Sequence, residues 1–249
     1  MSFTDKVVVI TGGASGIGEA TAKLLAQRGA RVVIGDVVEE AGARVVSEIT
    51  GAGGTASFIR TDVTSAADTV ALVEHAVTTY GGLHFAANIA GIGHPPARIH
   101  DLDEAWWDRI HSIDLKGMWL SMKAEIGYFL QHGGGAIVNM ASGAGQRATI
   151  GQPAYAAAKA GVISLTGQAA LEYATDNIRV NAIAPGLIET PAVAALDEQT
   201  RAMYAAQIPV GRMGQPREIA TTVAWLLSDD ASFVTGITHN TDGGYSQKS

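Results

Sequence analysis

The chain lacks cysteine altogether, and it has no long apolar run and no basic cluster. Without cysteine among its 249 residues there are no disulfides and no thiolate nucleophile, which fits a cytoplasmic protein. No run of 18 or more apolar residues occurs, so we expect no transmembrane helix. The opening "MSFTDKVVVI" has no basic stretch followed by a long apolar one, so we expect no signal peptide.

Positive charge is scarce as well. The chain has 17 Lys and Arg against 24 Asp and Glu, a net charge of −7 with histidine neutral. Nucleic acids and anionic membranes are bound by clustered cations, so we expect neither as a partner. The seven histidines show no spacing typical of a metal site, and we expect no metal.

What the chain does have is a regular alternation of two patterns. Short apolar, β-branched runs alternate with longer segments that carry apolar residues every three or four positions. Such alternation predicts an α/β fold of parallel β–α–β units with helices on both faces. The seven predicted strands are 6–10, 31–36, 55–60, 83–88, 135–142, 178–184 and 236–242.

No linker, repeat or change of composition divides the chain. We therefore predict a single domain over residues 1–249, with both cofactor binding and catalysis in it. The stretch from about 187 to 212 is rich in alanine and lacks a clear strand. We interpret it as an insertion over the sheet, near the substrate.

A glycine-rich turn follows the first predicted strand in "VVVITGGASGIGEATAKLL". Gly12, Gly16 and Gly18 stand where the chain must turn sharply and where the first predicted helix opens. Glycines there let the backbone approach a pyrophosphate closely, and free N–H groups at the helix start face the anion. A plain tight turn between strand and helix is the alternative interpretation.

Asp36 ends the second predicted strand and bears on the choice of cofactor. A carboxylate there accepts hydrogen bonds from both hydroxyls of an adenosine ribose and repels a 2′-phosphate. Its neighbours Val37, Val38 and Ser15 supply no cation, and Arg31 lies at the far end of the strand. We therefore predict NAD rather than NADP. The alternative role for Asp36 is a helix N-cap.

"PAYAAAKAG", residues 153–161, places Tyr155 and Lys159 four positions apart on one helical face. Taken alone, the pair is compatible with an ordinary amphipathic helix. The wider set of motifs changes that interpretation. These are "TGGASGIG" (11–18), "DV" (62–63), "NIAG" (88–91), Ser142, "YAAAK" (155–159) and "NAIAPG" (181–186).

In their order and spacing these motifs resemble the short-chain dehydrogenase/reductase family, over essentially the whole chain. The resemblance implies a seven-stranded, mostly parallel Rossmann sheet and a homotetramer. It also implies cofactor-binding residues in four places. They are the pyrophosphate turn (Gly12, Ser15, Gly16, Ile17, Gly18), the adenine contact (Asp62, Val63), the end of the fourth strand (Asn88) and the nicotinamide loop (Pro185, Gly186, Ile188, Thr190).

The residues alone also allow plainer roles for some of these positions. Asp62 would serve equally as the cap of the helix after "DVTS". Asn88 and Asn181 would satisfy backbone groups at strand ends. Ile89 stands where the family usually has a second asparagine.

The resemblance implies a catalytic set of Ser142, Tyr155 and Lys159. A phenol with a pKa near ~10 is a poor base at neutral pH, and a nearby ammonium favours its ionised form. Tyr155 would then act as general acid/base, while Lys159 supplies the field and also binds the cofactor ribose. Ser142 precedes Tyr155 by thirteen residues, which allows its hydroxyl to share the substrate oxygen.

The substrate is less well defined. His94 is either a ligand contact or a solvated loop histidine. Mainly apolar candidates without an Arg or Lys cluster favour a small neutral secondary alcohol or ketone over a phosphorylated or acyl-carrier substrate. These candidates are Ala144, Gln152, Leu187, Val193, Met203 and Tyr204. Two alternatives stay open: an NADPH-linked carbonyl reductase, and a catalytically idle NAD-binding or regulatory protein.

An aspartate and three tryptophans lie in the segment between the fourth and fifth predicted strands. Asp114 stands where the family usually has an asparagine that helps to hold a water near the lysine. We expect the exchange to be tolerated, although an ionised Asp114 near Lys159 would disfavour the Tyr155 phenolate, and a solvent-facing or kink-capping Asp114 is the alternative. Three tryptophans are expected to pack a helix over about 104–130 against the sheet or a sister subunit: Trp106, Trp107 and Trp119.

Overall fold

A computed structural model describes residues 1–247 and places seven strands in one parallel sheet, with the order β3-β2-β1-β4-β5-β6-β7. The predicted α/β class, strand number and direction are confirmed. Most boundaries agree within two residues, and the fifth strand ends before Ser142. The strands are β1 Val7–Thr11, β2 Arg31–Asp36, β3 Thr55–Arg60, β4 Phe85–Asn88, β5 Gly135–Met140, β6 Ile178–Pro185 and β7 Thr238–Thr241.

Helices cover both faces of this sheet. Alternate side chains of β1 point to opposite faces. Val8 and Ile10 pack in one core with helices α1 (Gly16–Gln27), α2 (Glu39–Gly51) and α9 (Pro216–Leu227). Val7 and Val9 pack in the other core with helices α3 (Ala66–Tyr80), α5 (Met118–His132) and α6 (Pro153–Tyr173). The helices are α1 Gly16–Gln27, α2 Glu39–Gly51, α3 Ala66–Tyr80, α4 Glu104–Ile110, α5 Met118–His132, α6 Pro153–Tyr173, α7 Pro191–Ala194, α8 Glu198–Ala206 and α9 Pro216–Leu227. No helix in the range 1–247 is long and apolar enough to cross a membrane.

The strand order reverses between β1 and β4, which both pair with their neighbours in parallel register. Thr11 of β1 aligns with Asn88 of β4 at their carboxyl ends. In open parallel sheets the crevice outside such a reversal is where ligands bind. The glycine-rich turn and the "NIAG" stretch both leave the sheet at this point, which positions the candidate site.

The predicted helix over about 104–130 is interrupted. Residues His111–Gly117 form a π-helical segment between α4 and α5. Of the two expected packing partners, the sheet is wrong for Trp107 and Trp119, and packing against a sister subunit stays a prediction. Trp107 and Trp119 are each 43% exposed, and Trp107 instead lies against His111, with ring centroids 4.0 Å apart. These rings face outwards from the chain.

The stretch after β6 contains two short helices, α7 and α8, and no named strand between 187 and 212. Ile188 forms a single bridge to Gly214, which ties the beginning of this stretch to the residue just before α9. Asp197 caps α8 by accepting a hydrogen bond from the Thr200 amide. The side chains of Met203 and Val210 are exposed.

Candidate active site

The glycine-rich turn is shaped so closely that side chains are excluded at two of its positions. Gly12 has φ +67°, and a Cβ there would lie 2.8 Å from the backbone of Ala90. A Cβ at Gly18 would lie 2.0 Å from the Gly12 carbonyl oxygen. Ser15 is the N-cap of α1, yet its side chain makes no capping bond. The first N–H groups of α1 are therefore open to an anion, and the turn fits a dinucleotide pyrophosphate.

The predicted nicotinamide loop lies against this turn. A Cβ at Gly16 would stand 3.4 Å from Thr190 Cγ2, so a single added methyl group would bring the two segments into van der Waals contact across the crevice. Gly186 packs on the backbone of Asp242 and donates its amide proton to the Thr241 carbonyl oxygen. Pro185 ends β6, and Ile188 is buried. The structure thus brings together two segments that are 170 residues apart in sequence.

Asp36 is fixed beside the same turn. One carboxylate oxygen accepts a hydrogen bond from the Ala14 amide and the other accepts one from the Val38 amide, both at 3.1 Å. Val38 is the N-cap position of α2, so Asp36 supports the helix start from two residues before it. Each oxygen retains a lone pair for a ligand hydroxyl.

One cation that the neighbours of Asp36 in the sequence did not reveal approaches the turn. Arg44, from the first turns of α2, donates a hydrogen bond from Nη2 to the Ala14 carbonyl oxygen at 3.3 Å. Its guanidinium also pairs with Glu19 at 2.7 Å and Glu48 at 2.8 Å. The positive charge next to the turn is therefore balanced by two carboxylates. Sequence spacing did not reveal this cation, because it lies eight residues after Asp36 and returns to the turn only through the packing of α2.

The adenine-contact pair occupies the turn between β3 and α3. Asp62 Oδ1 accepts hydrogen bonds from the Thr64 amide at 2.9 Å and from the Thr64 hydroxyl at 2.8 Å. The alternative of Asp62 as helix cap is wrong, because Ser65 caps α3 through Asp68. Val63 is buried, and a Cβ at Gly117 would meet its side chain at 2.7 Å.

Asn88 is buried, and its side chain is turned into the sheet. Its Nδ2 donates to Glu125 Oε2 at 3.0 Å and to Asn139 Oδ1 at 3.1 Å. These partners are side chains, so the alternative of satisfying backbone groups is wrong for Asn88. Asn181 does satisfy backbone groups, those of Val234 and Ile237. The Asn88 amide group therefore supports the end of β4 from inside.

Glu125 was not identified from the sequence. It is 1% exposed, and burial raises the pKa of its carboxyl to about 7. A signal for it exists in the helical spacing, because Glu125 lies three residues after Met122 and four before Phe129, both of which are buried. Within the described chain, Glu125 Oε1 and Asn88 Oδ1 have no hydrogen-bond partner.

Ser142 and Lys159 lie near the end of β5, and Tyr155 lies one helical turn before Lys159 on α6. The Lys159 ammonium donates to the Met140 carbonyl oxygen at 3.0 Å and lies 5.5 Å from the centroid of the Tyr155 ring. Ser142 opens a short turn, 143–145, and accepts a hydrogen bond from the Ala144 amide. That turn packs on α6, since a Cβ at Gly145 would lie 2.6 Å from the Lys159 carbonyl carbon. Lys159 is buried, whereas Tyr155 is half-buried and remains accessible.

Comparison with known proteins gives consistent matches along this chain. A family model described as enoyl-(acyl carrier protein) reductase matches residues 12–246. A cis-4-hydroxycyclohexanecarboxylate dehydrogenase of Sinomonas cyclohexanicum is 47% identical over 98% of both chains. A cyclohexanol dehydrogenase of Acinetobacter sp. (strain SE19) is 46% identical over 99% of this chain and 97% of its own. The chain belongs to the short-chain dehydrogenase/reductase family.

A solved structure supports the same family assignment. The crystal structure of a levodione reductase superposes with a TM-score of 0.95 at 36% identity, over 99% of this chain and 100% of that one. Membership of the short-chain dehydrogenase/reductase family makes the chain an oxidoreductase that uses a nicotinamide cofactor. The glycine turn that a Cβ would block and the facing 185–190 loop fit such a cofactor.

Asp114 is this chain's departure from the family's usual asparagine. It is fully buried, and its Oδ2 lies 3.1 Å from Lys159 Nζ. Its Oδ1 accepts a hydrogen bond from the Ile92 amide at 2.9 Å. The solvent-facing and kink-capping alternatives are both wrong, because the carboxylate leaves its own π-helical segment to join Lys159 and the "NIAG" stretch. Gly91 makes room for this pair: a Cβ there would lie 2.9 Å from Asp114 Oδ2 and 3.2 Å from Lys159 Nζ.

His94 is 6% exposed, so the interpretation as a solvated loop histidine is wrong. Its Nδ1 lies 2.8 Å from the Pro95 carbonyl oxygen, and its own carbonyl oxygen accepts a hydrogen bond from Gln152 Nε2 at 3.5 Å. Nε2 is buried and makes no hydrogen bond to the residues that the structure describes.

Proposed function

We propose that the chain is an NAD-dependent dehydrogenase that interconverts a secondary alcohol and its ketone. The observation that carries this proposal is the buried Lys159 ammonium 5.5 Å from the ring centroid of the accessible Tyr155. A lysine held there favours the phenolate electrostatically, which a general base needs at neutral pH.

In the proposed reaction Tyr155 removes the hydroxyl proton of the alcohol. Ser142 donates a hydrogen bond to the same substrate oxygen and keeps it beside the phenol. Lys159 stays protonated, held by the Met140 carbonyl oxygen and Asp114, and stabilises the negative charge on Tyr155. The bound nicotinamide supplies the hydride acceptor for oxidation or the hydride donor for reduction. In the reverse direction Tyr155 returns its proton to the ketone oxygen.

The proposed cofactor residues are those implied by the sequence, with Asn88 acting through its support of β4. NAD is favoured over NADP because Asp36 lies beside the turn, whereas Arg44 is neutralised by Glu19 and Glu48. Calorimetric titration tests this with NAD(H) and NADP(H). We expect tighter binding of NAD(H), and Asp36→Ala should narrow the difference. Equal affinities in the unaltered protein would contradict the role of Asp36 and favour the alternative of an NADPH-linked reductase.

We propose a neutral, cyclic secondary alcohol as substrate. The two curated relatives above are named for cyclohexane-ring alcohols, and the similar solved structure is named for levodione. The whole chain is proposed to act as one domain, in which residues 187–212 close over the substrate. Steady-state assays with cyclohexanol, at saturating NAD or NADP, test the reaction by nicotinamide absorbance. Absence of turnover with a panel of cyclic and open-chain secondary alcohols would favour the alternative of an idle NAD-binding or regulatory protein.

We also propose a homotetramer. Exposed apolar side chains support this proposal. A groove of about 730 Å³ between the π-helical segment and α6 is lined by Leu115, Trp119 and Leu165, and Leu171 and Phe233 are 82% and 102% exposed. Closed dihedral tetramers need at least two kinds of interface. Sedimentation should give four times the 25.7 kDa of one chain. Trp119→Glu and Phe233→Glu should each reduce the assembly to dimers, and a monomeric unaltered protein would refute the proposal.

A cytoplasmic location is proposed from the absence of cysteine.

A further inference from the structure

His94 lies in a loop that contacts the chain on both sides of Tyr155, just before α6 and one turn into it. At one end of the loop, Gly91 packs against the Lys159 ammonium, one turn after Tyr155. At the other end, the Ala97 amide donates to the Gly151 carbonyl oxygen at 3.0 Å, one turn before Tyr155. The loop over 91–97 therefore passes along the helical turn that carries Tyr155.

The middle of this loop is held in place as well. Ile92 and Tyr155 both pack against the same small cluster of Ile110, Ala154 and Ala158. The carbonyl oxygen of His94 accepts its hydrogen bond from Gln152, three residues before Tyr155. His94 is thus held in a loop that is fixed to the start of α6, close in the fold to the helical turn that carries Tyr155, rather than at a free loop tip.

The hydrogen bonds of His94 determine what its free nitrogen can do. A carbonyl oxygen only accepts, so Nδ1 must carry the proton in its contact with Pro95. In the neutral imidazole Nε2 is then an acceptor with an available lone pair. Nε2 is buried without a partner among residues 1–247, and a buried polar atom left in this state is costly. A hydroxyl or other donor brought by a ligand would satisfy it.

We propose that His94 is a specificity-determining residue, whose Nε2 accepts a hydrogen bond from a second hydroxyl group of the substrate. The reacting hydroxyl binds at Tyr155, and the second hydroxyl lies on the opposite side of the ring, at His94. The site would therefore select cyclic diols over cyclic alcohols with one hydroxyl. This inference rests on the proposed alcohol dehydrogenase activity and deepens it.

The test compares two substrates of similar size, each as its cis and trans isomers: 1,4-cyclohexanediol and 4-methoxycyclohexanol. The methoxy oxygen can accept a hydrogen bond but cannot donate one, so it cannot satisfy Nε2. Both substrates are assayed at the same pH. For at least one isomer, we expect kcat/KM for the diol to be about fivefold higher than for 4-methoxycyclohexanol, the effect of one neutral hydrogen bond. This ratio is taken after division by two, because the diol has two equivalent hydroxyl groups that can react.

Two variants of His94 isolate the nitrogen concerned. His94→Asn keeps a donor close to the Pro95 carbonyl oxygen and removes Nε2. The ratio of kcat/KM for the diol to kcat/KM for 4-methoxycyclohexanol should therefore fall to about 1. His94→Gln places an amide oxygen near the position of Nε2 and should retain most of the preference. The ratio of kcat/KM values for the two substrates is compared within each variant, and a melting temperature for each serves as the folding control.

The outcomes separate this inference from the proposed function. Turnover of cyclohexanol without any preference for either diol isomer would overturn the role of His94 and leave the dehydrogenase intact. An unchanged preference in His94→Asn would overturn it as well. Failure to oxidise any of these alcohols would overturn both proposals. If His94→Asn does not fold, the ratio in the unaltered protein and in His94→Gln decides.

Discussion

Replacing Glu125 by glutamine should make the protein more stable, and increasingly so as the pH rises. The carboxyl is 1% exposed, lies under the end of β4 and has one hydrogen-bond donor, Asn88. Glutamine has the same shape and keeps an oxygen for the Asn88 amide. Its own amide can also donate to Asn88 Oδ1, which has no partner within residues 1–247.

The magnitude follows from the pKa. Burial raises the pKa of Glu125 from its ordinary value of 4.5 to about 7, so the folded chain holds the proton more tightly than the unfolded chain. The contribution of Glu125 to the free energy of unfolding is complete below pH 4.5, falls as the pH rises towards 7 and stops falling above that. At ~1.36 kcal/mol per unit of pKa, the complete loss is about 3 kcal/mol. Glutamine does not titrate, so the variant avoids this loss. Its free energy of unfolding should exceed that of the unaltered protein by about 1 kcal/mol at pH 5 and about 3 kcal/mol at pH 8.

Thermal unfolding at fixed protein concentration measures this difference. We expect Glu125→Gln to raise the melting temperature by about 6–12 °C at pH 8 and by about 2–4 °C at pH 5. The exposed Glu74 in the middle of α3 provides the control, because Glu74→Gln removes the same charge from the surface and should shift neither melting temperature appreciably. A gain that is equal at both pH values, or a less stable variant at pH 8, would refute the buried-proton argument.

Three further predictions concern the candidate site. Tyr155→Phe should lower kcat by about 10²–10⁴-fold while leaving NAD affinity nearly unchanged in calorimetry, and a variant that keeps most of its kcat would show that the chemistry lies elsewhere. Asp114→Asn should keep kcat within about tenfold and move the acidic limb of the oxidation pH profile to lower pH, because it removes a buried negative charge that lies 3.1 Å from the Lys159 ammonium. A rise of several hundredfold in kcat would instead favour the regulatory alternative. Gly91→Ala should push Asp114 and Lys159 apart, which lowers kcat and also lowers the free energy of unfolding by roughly 1–3 kcal/mol. An unaltered kcat and an unaltered free energy of unfolding would mean that the loop moves aside freely.

The sheet was predictable because its strands carry apolar residues on both faces. Val7 to Ile10 shows this directly, since consecutive valines and isoleucine enter opposite cores. The order of the strands did not follow from periodicity and was implied by the family resemblance. The π-helical segment 111–117 was not predicted, because a few wider turns leave the apolar spacing of a long helix almost unchanged.

Local spacing also determined which parts of the site could be found. The Tyr155–Lys159 pair follows from a separation of four residues on one helix. The burial of His94 depends instead on Gly151 and Gln152, nearly sixty residues later in the chain, and no local pattern marks it. The approach of Arg44 to the glycine-rich turn similarly depends on how α2 packs.

The π-helical segment also sets the rotational phase between two buried carboxylates. An α-helix advances by about 100° per residue, so each residue accommodated in a wider turn rotates everything after it relative to everything before it. Asp114 inside the segment meets Lys159, and Glu125, one residue past the second turn of α5, meets Asn88. Shortening the segment by one residue would preserve one of these alignments and rotate the other towards the wrong neighbour. Because of the π-helical segment, one continuous helical stretch can direct Asp114 towards Lys159 in the candidate active site and Glu125 towards Asn88 beneath β4.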